Sequence, residues 1–255
     1  MGERVLKNSP LTEAYFEMRW VLIGAGQAEL IQSSYDVMLE HLINVIKDAY
    51  PYHNELPLAS LPAGLTMYFI QHQFRKGRNK WPMIQIGPGI VTLNTAEEYS
   101  WLDFEERILQ LFDAIADGYS NTGFELKPNW FVLRYTSGVE LDRKDITAFL
   151  SQNFRMNVNV DEKIFKGTNV GSLPLGADLK FFFPCDKPKG TVNLRFGQGK
   201  KNEKETIFWE VEMLKEYGVL KDRRKIVEWC EQSHEILEHV FFNMLQEEFL
   251  ARFES

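Results

Sequence analysis

One order of elements, strand, helix, several strands and then an amphipathic helix headed by tryptophan, runs twice along this chain, and that repetition constrains the fold more than any other feature. The first pass ends in Trp101-Leu102-Asp103-Phe104-Glu105-Glu106-Arg107-Ile108-Leu109. The second ends in Trp229-Cys230-Glu231-Gln232-Ser233-His234-Glu235-Ile236-Leu237, with Ile-Leu at the same offset from tryptophan. The pattern predicts an α+β fold, a duplicated strand-helix-antiparallel strands-helix module with its helices on one face of an open antiparallel sheet. Turn residues from Asn121 to Asn129 set the boundary, which gives a first repeat over residues 1–122 and a second over 123–255 with a long C-terminal helix.

Local periodicity supports the order. Ala14, Phe16, Met18, Trp20 and Leu22 alternate with Glu13, Tyr15, Glu17 and Arg19, as in a strand buried on one side. Ile31, Tyr35, Met38, Leu42, Ile46 and Ala49 recur at three and four, the stripe of a helix that Pro51 stops. Strands are predicted over Leu65 to Phe74, Trp81 to Ile86 and Ile90 to Asn94, with Gly87-Pro88-Gly89 as a tight reversal. Phe104, Ile108, Leu111, Phe112 and Ile115 form the next stripe. In the second half, Trp130 to Leu141, Leu179 to Phe183, Thr191 to Phe196 and Thr206 to Leu214 read as strands. Asp145 to Phe154 reads as a short helix, and the last helix starts near Asp222. Arg155 to Gly176 is irregular and longer than ordinary loops. Glu13, Glu17, Arg19, Asn193, Arg195, Glu210 and Glu212 fall on the polar side of their strands and would line the open face.

The 29 Lys and Arg against 36 Asp and Glu leave a net charge of −7, which disfavours indiscriminate binding to nucleic acid or anionic membrane. Cys185 and Cys230 are the two cysteines, too few for a disulfide framework, and no apolar run reaches the length of a membrane span. A cytoplasmic protein without membrane contact is the expectation.

No motif assembles a catalytic site. Val21-Leu22-Ile23-Gly24-Ala25-Gly26 lies between a strand and a helix, but Glu29 stands where a dinucleotide loop needs its third glycine. His234-Glu235-Ile236-Leu237-Glu238-His239 spaces its histidines by five. That sets them about 140° apart around the helix, against about 40° for the spacing of four that a shared metal requires. His234 instead belongs on the inward stripe between Cys230 and Leu237, as a buried structural residue. His41, His53 and His72 have no partner at ligand spacing, so neither metal nor cofactor is expected. Arg75, Lys76, Arg78 and Lys80 occupy one hairpin loop next to Trp81, a pairing of charge and ring that suits single-stranded nucleic acid. Lys221, Arg223, Arg224 and Lys225 surround a helix start, where cations oppose the helix dipole and an anion would be favoured.

Three stretches together resemble a sporadically distributed prokaryotic family of uncharacterised proteins of similar length. They are Asn8-Ser9-Pro10-Leu11-Thr12-Glu13-Ala14, Gln85-Ile86-Gly87-Pro88-Gly89-Ile90-Val91-Thr92-Leu93-Asn94 and the ending Trp229, His234, Phe241 and Phe253. The resemblance spans nearly the whole chain. It carries no established activity, cofactor or catalytic residue, and the family's patchy distribution implies a link to defence or mobile elements. The element order is also similar to the duplicated saddle of the TATA-binding-protein fold, from which this acidic chain departs in charge. Three readings of function follow. The first is a non-catalytic binding or scaffold protein that holds a protein partner. The second is a nucleic-acid or phosphate-binding module using the two basic clusters. The third is an enzyme with carboxylates on the open sheet face.

Overall fold

The apolar side of the first strand, with Ala14, Phe16, Met18 and Trp20 all at most 2% exposed, is the floor on which the rest of the chain is assembled. A computed structural model describes residues 6–22, 27–140, 146–201, 203–216, 218–220 and 222–254. In chain order the elements are β1 (Leu11–Trp20), α1 (Ala28–Ile46), β2 (Tyr52–Glu55), β3 (His72–Arg75), β4 (Met83–Gly87), β5 (Ile90–Thr95), α2 (Trp101–Ser120) and β6 (Pro128–Glu140). They continue with α3 (Ile146–Asn153), β7 (Asp178–Asp186), β8 (Lys189–Lys201), β9 (Lys204–Lys215), α4 (Arg223–Met244) and α5 (Glu247–Glu254).

The nine strands form one antiparallel sheet in the order β2-β3-β4-β5-β1-β6-β9-β8-β7. Read outward from the central β1–β6 pair, each side meets the last strand of its own half first, β5 or β9, and then steps back through the preceding ones. Phe16 pairs with Leu93 on one side and Leu133 on the other, so the same parity of residue faces the helices across the whole sheet. The α+β architecture with helices on one face of an open antiparallel sheet is therefore what the chain adopts.

Two apolar clusters fill the space between sheet and helices. The larger joins β1, β4, β5, β6 and β9 to α1, α2 and α4, and so runs across the boundary expected at Asn121 to Asn129. Within it Trp20 meets Tyr119 edge-on at 5.8 Å and donates its indole N–H to that hydroxyl. The smaller packs α3 and α5 on Phe196, Ile207 and Trp209. Helix α2 is well closed at its start: the Ser100 hydroxyl accepts from the Asp103 N–H, and Arg107 makes two bonds of 2.7 and 2.8 Å to the Asp103 carboxylate.

Several segments differ from expectation. Of the strand predicted over Leu65 to Phe74, only the end from His72 forms, because Ala63–Leu65 makes a 3₁₀ turn and the Gln71 amide donates to Thr66 Oγ1 and the Leu58 carbonyl. These side chains give the backbone a turn in place of a ladder. Strand β2 was not expected after Pro51. The last helix is two helices, since Leu245 turns extended and bridges to Phe154. Trp101 does head α2, whereas α4 begins at Arg223 and Trp229 lies in its second turn. The start of the predicted helix at Asp145 and the turn at Ile23 to Gly26 lie outside the described residues.

Candidate functional site

Beyond the irregular stretch from Arg155, the chain enters β7, an edge strand paired to β8 alone. Alternation sends Phe181 and Phe183 to the helix side and Phe182 to the open side, and among the described residues no further strand pairs beyond β7. Phe181 is 39%, Phe182 67% and Phe183 48% exposed. Val160, Ile164, Val170, Leu173 and Leu175, from the preceding stretch, are exposed too. Soluble sheets ordinarily protect such edges with lysine or proline. Here Lys180 and Pro184 bracket the phenylalanines and leave a short unprotected window between them. Sequence reading identifies the strand but not its place at the edge, which depends on strand order.

The open face carries the expected polar residues, and most of them pair with one another, although Asn193 Oδ1 and Arg134 Nε are buried without a hydrogen-bond partner among the described residues. Glu17 accepts from Tyr15 and, at 2.6 Å, from Arg19. Arg134, which the sequence did not single out, sits at the centre. It lies 3.7 Å from both Glu13 and Glu212 and covers the Tyr15 ring at 4.4 Å. Glu13 also accepts from Asn94 at 2.9 Å and Glu212 from Asn193 at 2.8 Å, while Arg195 lies between Asp178 and Glu210. Burial raises the Glu212 carboxyl above the ordinary range, with Asn193 and Arg134 opposing it. Charges of both signs alternate here, so the face has neither the uniform basic potential that duplex DNA requires nor a carboxylate pair free of cations.

The two basic clusters remain apart. Arg75 stacks over Trp81 at 4.9 Å, with Lys76, Arg78 and Lys80 exposed in the same β3–β4 loop. At the start of α4, Arg223 is held on Asp113 by two bonds of 3.0 Å, and Arg224 pairs with Asp222, the residue capping the helix. Lys225 is exposed beside them, and Lys221 lies outside the described residues. Lys76 lies near enough to Asp103 to lower its carboxyl pKa slightly, whereas Arg223 pairs with Asp113, ten residues on, so the clusters face different turns of α2. The capping carboxylate of Asp222 already occupies the anion position at this helix start.

A cavity of 290 Å³ lies where α2, β6 and α4 meet, lined by Leu11, Leu237, Phe241 and Phe242 with a polar wall of Ser100, Ser137, Tyr99, Tyr135, His234 and Glu238. Tyr99 donates to the Tyr135 hydroxyl at 2.9 Å, which leaves the Tyr135 proton for His234 Nδ1, also at 2.9 Å. His234 stacks flat on Trp101, 4.1 Å between centroids. Burial pushes its pKa down to about 4, so the ring is neutral at pH 7, and burial holds the Tyr135 phenol protonated. His234 is thus half-buried and hydrogen-bonded, tying the start of α2 to α4 across β6.

The His234 environment has a pH signature. Its folded pKa lies below the unfolded value near 6.5, so the stability it supports is complete above pH 6.5 and is lost as pH falls toward 4. After discounting for partial exposure, thermal or urea unfolding should show a loss of about 2 kcal/mol across that window. His234→Phe should flatten the slope, and an unchanged slope would contradict the assignment.

No helix among the described residues is long and apolar enough to cross a membrane. No family model matches this chain, and no curated protein matches it.

Proposed function

We propose that this chain is a non-catalytic binding protein that takes an extended segment of a protein partner along the outer edge of β7. The observation that carries the reading is the exposure of Phe181, Phe182 and Phe183 on a strand whose outer edge is unpaired among the described residues. A partner strand added there gains main-chain hydrogen bonds from the free edge and buries aromatic surface on both sides of the sheet. Strand addition accounts for two features at once, the unprotected edge and the apolar stretch leading into it. We place the protein in the cytoplasm, where the unpaired Cys185 and Cys230 stay reduced, and read the strand order about β1 and β6 as the trace of an internal duplication. Membership of the sporadically distributed prokaryotic family, with its link to defence or mobile elements, belongs to the same reading.

The test uses a library of displayed twelve-residue peptides selected against the intact protein. Enriched sequences should alternate β-branched or aromatic residues, bind at roughly micromolar affinity, and protect β7 amides from exchange. Lys at both Phe182 and Phe183, two exposed positions, should abolish that binding without lowering stability. Peptides that bind the double variant equally well, or no enrichment, would overturn the reading. So would a dimer in sedimentation velocity that the same variant dissolves, because a second copy would then own the edge.

A further inference from the structure

The opposite edge of the sheet holds a constellation that spacing along the chain conceals. Strand β2 alternates, so His53 and Glu55 share its helix-facing side, and the antiparallel register sets Glu55 opposite His72 and His53 opposite Phe74. His53 Nε2 lies 3.1 Å from His72 Nδ1, and one ligand atom from each of His53, His72 and Glu55 lies within 4.8 Å of the others. The rings are fixed by packing. His53 stacks on Phe74 with centroids 4.4 Å apart and planes 13° off parallel, while His72 is buried beside Tyr35.

Two nitrogens bound to one tetrahedral ion at 2.0–2.1 Å each stand roughly 3.3 Å apart, close to the separation here. The surroundings favour a cation, since Glu55 and Asp36 both place negative charge on His72, and Asp36 is held by the Gln32 amide at 2.8 Å.

We propose that His53, Glu55 and His72 form a binding site for a divalent transition ion of the zinc class, with two imidazole nitrogens and one carboxylate as ligands and the remaining positions open to solvent. Nitrogen donors select such an ion over magnesium or calcium, which take oxygen. Both His53 and Glu55 are exposed, so the ion has an entry path. Once bound, it ties β2, a four-residue edge strand, to β3, and its binding energy becomes folding energy for that edge.

Zinc titration of the full chain, free of any affinity tag, should give one ion per chain by calorimetry, and cobalt(II) should give visible d–d absorption that zinc displaces. His53→Ala and Glu55→Gln alter exposed side chains and should each weaken zinc binding by about tenfold or more. Zinc should raise the melting temperature of the parent protein and not that of His53→Ala. His239→Ala, on α4, should leave binding unchanged. Absence of stoichiometric binding, or affinity that His53→Ala does not move, would overturn the proposal and assign the 3.1 Å contact to a hydrogen bond between the two rings.

Discussion

Replacing Trp209 with alanine is expected to cost about 3–5 kcal/mol, the range for truncating a fully buried large aromatic side chain. Trp209 is 0% exposed and central to the smaller cluster: its ring lies 5.3 Å from Phe154, 6.1 Å from Phe249 and 6.5 Å from Phe241. Its indole N–H is buried with no hydrogen-bond partner among the described residues, so packing supplies the stabilisation. The cavity left behind would separate α3 and α5 from β9, since Ile146, Phe149 and Phe253 reach the sheet through this cluster. Urea unfolding should show the lost stability, and amide exchange in α3 and α5 should accelerate more than in α2, which belongs to the larger cluster. A loss under about 1 kcal/mol would contradict the packing argument.

Gly87→Ala should be nearly as damaging, at about 3 kcal/mol, through crowding rather than lost contact. A Cβ at Gly87 would fall 1.8 Å from the Phe69 carbonyl oxygen and 2.8 Å from its carbon. That backbone cannot give way easily. Gln71 donates to the Ile86 carbonyl at 2.9 Å and Tyr68 to that of Pro88 at 2.7 Å, so the segment is tied down on both sides of the contact. Gly171, with nothing within 4 Å of an added Cβ, is the control. Its alanine variant should stay within about 0.5 kcal/mol of the parent in the same unfolding experiment. Equal effects at the two glycines would show that close approach is not what Gly87 provides.

The amino-acid sequence by itself determined the parts that depend on local period. Alternation in β1, the three-and-four stripes of α1 and α2, the reversal at Gly87-Pro88-Gly89 and the α+β class are all properties of neighbouring residues, and each was legible as such. His234 could also be placed on the inward stripe of its helix, though its stacking on Trp101 and its bond to Tyr135 could not. What only the tertiary structure decided depends on strand order and register. Glu55 meets His72 because β2 pairs antiparallel with β3, and Phe181 to Phe183 are exposed because β7 falls at the end of nine strands. A strand's own pattern tells which residues share a face, but hydrogen bonding between strands distant in sequence decides what lies beside that face. The separation of the basic clusters has the same cause: each is visible in the chain, while the stretch of α2 between them is set by how helices pack on the sheet.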